Sequence, residues 1–114
     1  MSSRPDTARI QDILNSISSI QKRLSGLNFE QFCNDETVQK AVLYDLIIIG
    51  EAAKSISSAT QQNSPDIPWQ SMSDMRNIMA HEYFQVNLRI TWSTIKNNLP
   101  HIVEPLQNVL KSLP

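Results

Sequence analysis

Apolar residues recur every three or four positions near the start of the chain, with polar residues between them. The apolar positions are Ile10, Ile13, Leu14, Ile17, Ile20 and Leu24. This spacing places them on one face of an α-helix. Gly26 follows the last of them, and glycine commonly terminates a helix. The pattern therefore predicts one amphipathic helix that ends before Gly26.

Polar residues next mark where two further helices begin. Asn28 and Gln31 have the spacing of a capping box, which predicts a short helix over Phe29–Cys33. The dipeptide at residues 34–35, Asn-Asp, can cap a longer helix that the sequence predicts over residues 36–59. A cap stabilises a helix because its side chain accepts a hydrogen bond from a backbone N–H that the first turn leaves unpaired.

The middle of the longer helix, residues 41–50, is apolar on nearly every side. A helix of this kind must be covered on more than one side. We therefore expect it to lie at the centre of the fold, and a subunit interface is one way to cover its remaining face.

The second half of the chain predicts a loop and two more helices. Two prolines and several polar residues make residues 61–68 a predicted loop, and Pro68 suits the first turn of a helix predicted over residues 69–81. Asn87 can cap a last helix that begins at Leu88.

The last helix carries an unbroken series of apolar residues at alternating steps of four and three. They are Leu88, Trp92, Ile95, Leu99, Ile102, Leu106, Val109 and Leu113. Such a heptad seam packs along neighbouring helices. Pro100 and Pro105 are expected to kink or split this helix, because proline removes a backbone hydrogen bond and its ring crowds the preceding turn.

The composition favours one all-α domain over residues 1–114. The chain has 114 residues, 40% of them hydrophobic, and only 2 glycines. Hairpins and phosphate-binding loops usually need glycine, so this composition favours helices. We expect an antiparallel bundle of four or five helices with a kinked C-terminal helix.

Charge and cysteine content exclude some functional classes. A net charge of -1 argues against a broadly basic nucleic-acid-binding surface, but it allows a local basic cleft. The single cysteine, Cys33, excludes an internal disulfide and a zinc quartet. No export signal or membrane span is visible, so we expect a cytoplasmic protein. We also expect no cofactor, because one cysteine cannot form a zinc module and the chain has no glycine-rich phosphate-binding loop.

An apolar stripe that contains an arginine starts on the helix predicted over residues 69–81. The stripe consists of Trp69, Met72, Arg76, Met79, Ala80 and Tyr83. A guanidinium keeps its charge, so at such a place it needs a carboxylate, a phosphate or water. Two ordinary explanations are an ion pair with Asp45 or Glu51 of the preceding long helix and a side chain that reaches solvent.

Asn77, His81 and Tyr83 follow Arg76 closely. Asn77 and His81 are one helical turn apart, and an extended chain after His81 would point Tyr83 the same way. Histidine exchanges protons near neutral pH, and arginine binds phosphate oxygens through paired hydrogen bonds. Taken singly, His81 is typical of a helix C-terminus and Tyr83 of a core aromatic, but the whole group suits the cleavage of a phosphodiester bond.

Residues 75–83 resemble the R-x4-H-x-Y signature of the HepT-like toxins of the HEPN superfamily. Three other stretches resemble the same family: residues 49–54 (Ile-Gly-Glu-Ala-Ala-Lys), residues 67–69 (Ile-Pro-Trp), and Trp92 together with residues 99–100. Because these stretches occur in the family's order and spacing, the resemblance covers nearly the whole chain.

The resemblance implies a helical homodimer that is a metal-independent ribonuclease toxin of a type VII-like toxin–antitoxin system. Its implied partner is a nucleotidyltransferase antitoxin of the MntA kind. In the implied mechanism the ribose 2′-hydroxyl attacks the adjacent phosphate in a cleft lined by Arg76 and His81 of both subunits. His81 acts as general acid or base, Arg76 stabilises the transition state, and Asn77 orients one of these groups or the phosphate. RNA is the implied substrate, because only RNA carries that nucleophile.

The same resemblance implies that Tyr83 is the site of regulation. The antitoxin would transfer AMP from ATP to Tyr83, and the attached nucleotide would compete with RNA for Arg76 and His81. An alternative from a different class is a non-catalytic helical interaction or nucleotide-binding module that partners a nucleotidyltransferase. Growth arrest that depends on His81 would favour the toxin over this module.

Overall fold

A computed structural model describes residues 4–81 and 87–114, without the side chains of residues 78–81. In that part of the chain every regular element is helical. The elements are α1 (Asp6–Leu24), α2 (Phe29–Cys33), α3 (Glu36–Ser55), α4 (Ser58–Asn63), α5 (Trp69–His81), α6 (Leu88–Ser93), a π-helical turn over Thr94–Asn98, and α7 (Leu99–Ser112). The predicted all-α bundle is confirmed.

The first helices begin and end where their cap residues predict. Gly26, just after α1, has a φ of 81°, which glycine adopts without steric cost. The capping box before α2 is complete, because Asn28 and Gln31 each accept a hydrogen bond from the other's backbone N–H. Asp35 accepts a hydrogen bond from the Val38 amide at 3.0 Å and so caps α3.

The predicted helix over residues 36–59 is wrong in its last part, because the chain breaks between α3 and α4. Ile56 is extended, and the side chain of Ser57 caps α4. The side-chain amide of Gln61 donates hydrogen bonds to the carbonyls of Ala53 and Ile56 at the break. Serine offers the backbone an alternative to helical hydrogen bonds, and apolar periodicity does not detect this competition.

α4 contains the first residues of the loop predicted over residues 61–68, so that loop begins later than expected.

The Asp6 carboxylate holds α4 against the start of α1. It accepts hydrogen bonds from the Ser57 hydroxyl at 2.6 Å, the Ser57 amide at 3.1 Å and the Thr60 hydroxyl at 2.7 Å. Burial alone would raise the pKa of Asp6, but these hydrogen bonds and the charge of Arg9 outweigh it and lower that pKa. We call Asp6, Ser57 and Thr60 the N-terminal clasp.

The heptad seam of the last helix is confirmed. Its central residues are buried, namely Ile95, Leu99, Ile102, Leu106 and Val109. The chain accommodates Pro100 through the π-helical turn just before it, because the wider turn leaves space for the proline ring. Pro105 lies inside α7. The predicted cap by Asn87 is wrong, since its side chain makes no capping hydrogen bond to α6.

α3 lies at the centre of the described fold and contacts both α1 and α5, while α1 also contacts α7. The fully buried side chains of α3 include Val42, Leu46 and Ile49. The predicted central position of this helix is confirmed. None of the helices in the described part of the chain is both long and apolar enough to cross a membrane.

Candidate active site

α3 and α5 are pressed together where Gly50 lies against Arg76. A Cβ atom on residue 50 would be 2.2 Å from the Cβ and 2.9 Å from the Cα of Arg76. Side-chain carbons do not approach that closely, so only glycine fits here unless α5 moves away. The signal in the sequence is a glycine in the interior of an apolar helix, which often marks close packing.

The Arg76 side chain runs from this contact to the edge of the bundle. Its Nε donates a hydrogen bond to the Glu51 carboxylate, and its Nη1 donates to the Asn77 side-chain oxygen at 3.2 Å. The Arg76 side chain is 31% exposed and that of Glu51 is 50% exposed. The arginine in the apolar stripe is therefore held by an ion pair at the protein surface.

Glu51, rather than Asp45, is the acidic partner of Arg76. Asp45 is only 8% exposed, but it lies five residues before Gly50, which is about 140° around α3. Because Gly50 faces α5, this angle places Asp45 on a side of α3 that is turned away from α5. The sequence left both carboxylates open as partners, and the structure selects the one next to the glycine.

The structure brings Arg76, Asn77 and Glu51 together. His81 is the last residue of α5, but its side chain lies outside the described residues, and so does all of Tyr83. The predicted grouping of these two residues with Arg76 stays a prediction. The side chains of Met79 and Ala80 also lie outside the described residues, so their place in the apolar stripe stays a prediction. The other histidine, His101, is exposed on α7, as expected for a surface residue.

An apolar surface lies on α3 beside the ion pair. Tyr44 is 66% exposed, and Ile47 and Ile48 are half-buried. These three residues share one side of the helix with Glu51, because they precede it by seven, four and three positions. We call Tyr44, Ile47 and Ile48 the outer face of α3.

The described side chains do not assemble a metal site. Among them, no three histidine, cysteine, aspartate or glutamate residues lie close enough together to hold a metal ion.

Comparison with known proteins identifies the family. The profile of a family described as "Ribonuclease HepT-like" matches residues 13–109, which include the Gly50 contact and the whole motif. The chain belongs to the HepT-like ribonuclease family. The resemblance seen in the sequence is thereby confirmed, and the Arg76 site lies within the region that defines this family.

Relatives of this HepT-like chain carry similar names. A Thermococcus cleftensis protein named "Probable ribonuclease HepT" is 35% identical over 102 residues, covering 90% of this chain and 93% of that protein. A Caldanaerobacter subterraneus subsp. tengcongensis protein, provisionally named an RNase, is 32% identical over 102 residues, covering 90% and 91% respectively. A Methanocaldococcus jannaschii protein with a similar provisional name is 31% identical over 109 residues, covering 96% of this chain and 100% of its own length. No solved structure matches the chain at a significant level.

The close contact between α3 and α5 makes the effect of Gly50→Ala predictable in sign. Glycine to alanine inside a helix ordinarily stabilises a protein by about 1 kcal/mol. Here the added methyl group overlaps Arg76, so we expect a loss of about 2 kcal/mol, as in an overpacked core. Urea unfolding of the wild type and the variant measures this difference.

The matched control for this prediction is Ser55→Ala, at an exposed position of the same helix. It gains helix propensity without adding a contact, so its stability should rise slightly or stay the same. A Gly50→Ala protein as stable as the wild type would contradict the close contact.

Proposed function

We propose that this HepT-like ribonuclease is a cytoplasmic toxin of a type VII-like toxin–antitoxin system and cuts RNA without a metal ion. The observation that carries the proposal is the motif arginine, held at the protein surface by Glu51 and Asn77. The ribose 2′-hydroxyl attacks the adjacent phosphorus, and the bond from phosphorus to the 5′-oxygen of the next nucleotide breaks. The products are a cyclic phosphate and a free 5′-hydroxyl. The reaction needs no added oxidant or metal.

Arg76 is positioned to receive the phosphate. A guanidinium has five N–H donors, and the contacts with Glu51 and Asn77 use two of them. The remaining donors are available for phosphate oxygens, where paired hydrogen bonds stabilise the charge of the transition state. Because a half-exposed ion pair contributes about 1 kcal/mol or less, a phosphate can compete with Glu51 for the guanidinium.

His81 is proposed as the general acid or base, and its place on α5 favours a site shared by two subunits. Arg76 and His81 are five residues apart, so their Cα atoms are separated by about 140° around the helix and about 7.5 Å along it. Two side chains that leave one helix in such different directions converge less readily on one phosphate than residues from two facing α5 helices.

The outer face of α3 is proposed as the homodimer interface. Two large apolar side chains of the described residues are mostly exposed, Tyr44 and Ile90. Tyr44 is the more exposed of the two, at 66%. Burying the outer face of α3 against a second copy removes apolar surface from water and places two Arg76 sites next to each other.

We expect Arg76→Ala and His81→Ala to abolish most RNA cleavage in the presence of EDTA. The loss of an acid–base group should lower kcat by about 100-fold or more, and the loss of the phosphate ligand by a similar factor. Glu51→Gln should lower kcat less than either of these substitutions, because the glutamine oxygen still accepts a hydrogen bond from Arg76 but no longer carries the opposite charge. Initial rates of cleavage of a labelled RNA at saturating substrate give kcat for all three variants.

His101→Ala and Arg23→Ala are the matched controls for the cleavage experiment, since both residues are exposed and lie on other helices. They should cleave at the wild-type rate. Cleavage that survives both Arg76→Ala and His81→Ala, or that requires added metal, would contradict the mechanism. A wild-type protein that binds the nucleotidyltransferase but leaves RNA intact would favour the non-catalytic module.

We expect Tyr44→Asp to weaken the homodimer by about 100-fold, because a carboxylate would have to be buried between apolar surfaces. The matched control is Ile90→Asp, since Ile90 is similarly exposed, at 62%, but lies on α6. Sedimentation equilibrium measures the dissociation constants. An unchanged dimer in Tyr44→Asp, or equal loss in both variants, would rule out the outer face of α3 as the interface.

Tyr83 is proposed as the residue to which the antitoxin transfers AMP. The chain has two tyrosines, Tyr44 and Tyr83, so each serves as the control for the other. After incubation with the nucleotidyltransferase and ATP, intact-mass spectrometry should show added AMP in the wild type and in Tyr44→Phe but not in Tyr83→Phe. The modified protein should no longer cleave RNA. Modification that persists in Tyr83→Phe would place the modified residue elsewhere.

A further inference from the structure

Two aromatic rings and two cations form a continuous row along α2, α6 and the π-helical turn that follows α6. The guanidinium carbon of Arg89 lies 4.2 Å from the centre of the Phe29 ring. The Nζ atom of Lys96 lies 4.8 Å from the centre of the Trp92 ring. The two rings meet edge to face with their centres 5.9 Å apart. We call Arg89, Phe29, Trp92 and Lys96 the cation–aromatic row.

The rings of the row are fixed to the core, whereas its cations face solvent. Trp92 packs on Phe32 with 5.3 Å between ring centres, and Phe32 is completely buried. Arg89 and Lys96 are exposed. A ring attracts a cation placed over its face and restricts the rotamers of the cationic side chain. The row therefore presents two charges in positions that are set before any partner arrives.

Neither cation of the row forms a salt bridge with a carboxylate of the described chain. The salt bridges found among the described residues involve Arg4, Lys40 and Arg76. Arg89 and Lys96 instead rest on aromatic rings. In a chain with a net charge of -1, this row is a local positive surface suited to a polyanion.

We propose that the cation–aromatic row binds the phosphates of single-stranded RNA that flank the cleaved bond. This inference rests on the proposed function, in which RNA is cut at the Arg76 site. Proteins that hold single-stranded nucleic acid commonly combine cations with aromatic side chains. Since the ring faces are covered by Arg89 and Lys96, the expected contacts are with phosphates, and binding shows no base preference.

The row is within reach of the strand that enters the active site. α6 begins at Leu88, seven residues after His81. A chain of that length keeps the Cα atoms of His81 and Leu88 within about 25 Å of each other. A few nucleotides of extended RNA span that distance. The row then supplies affinity for the strand, whereas Arg76 and His81 supply the chemistry.

The test compares RNA binding by the His81→Ala protein with and without the double substitution Arg89→Gln and Lys96→Gln. Fluorescence anisotropy of a labelled oligouridine gives the dissociation constant over a range of salt concentrations. We expect binding to weaken about tenfold at low salt. The slope of log affinity against log salt should become shallower by about 1.4, since each lost phosphate contact to a single strand removes about 0.7.

Two further variants separate charge and position from folding. Lys22→Gln with Arg23→Gln removes the same charge from α1, where neither side chain stacks on a ring among the described residues, and should leave the slope unchanged. Arg89→Lys with Lys96→Arg keeps both charges and should retain the wild-type slope. An unchanged slope in the Arg89 and Lys96 double variant, or an equal change in the α1 variant, would overturn the proposal. Loss of nucleotidyltransferase binding with RNA affinity intact would assign the row to a protein partner and also overturn it.

Cleavage measured separately keeps this inference distinct from the proposed function. In the otherwise native enzyme, Arg89→Gln with Lys96→Gln should raise KM for RNA about tenfold and change kcat less than about twofold. A row that binds RNA in a protein that never cleaves it would refute the proposed function and leave the row standing. Normal cleavage with an unchanged KM would refute RNA binding by the row and leave the proposed function standing.

Discussion

The contact between Gly50 and Arg76 is the constraint on which the rest of the site depends. Because residue 50 has no side chain, α5 comes within van der Waals distance of the α3 backbone, and an arginine can follow an otherwise apolar stripe without being buried whole. Its stem packs at the helix crossing and its charged end emerges beside Glu51. Any larger residue at position 50 would separate the two helices and move the guanidinium away from Glu51 on α3.

The ion pair at this crossing resolves an apparent conflict in the sequence. An arginine among apolar residues suggests either a buried charge, which is costly, or a residue kept for function. Partial exposure of both side chains lowers the cost of holding the charge and also keeps the pair weak. A weak pair holds the guanidinium in place and still allows an anion with several oxygens to replace the carboxylate. The geometry is therefore compatible with both stability and phosphate binding.

Much of this fold is predictable because its signals are local. The capping box at Asn28, the cap at Asp35 and the apolar seam of α7 each depend on residues within one or two turns, and all are found in the structure. The break at Ile56 escaped prediction because a glutamine side chain from α4 satisfies the carbonyls there. The choice of Glu51 over Asp45 escaped it because periodicity assigns faces to one helix but does not give the rotation of its neighbour. The proposed roles of His81 and Tyr83 rest on the motif alone, whereas the proposed role of Arg76 also rests on its contacts with Glu51 and Asn77.

The N-terminal clasp has a consequence for the order in which the chain gains its contacts. Asp6 and Thr60 are 54 residues apart in sequence, whereas Glu51 and Arg76 are separated by only 25. Closing the longer loop costs about 0.7 kcal/mol more chain entropy. The contact between Glu51 and Arg76 is thus the less expensive of the two to close, and the N-terminal clasp can close on a helix pair that has already met. Fraying at the start of the chain would then leave the arginine and its carboxylate in place.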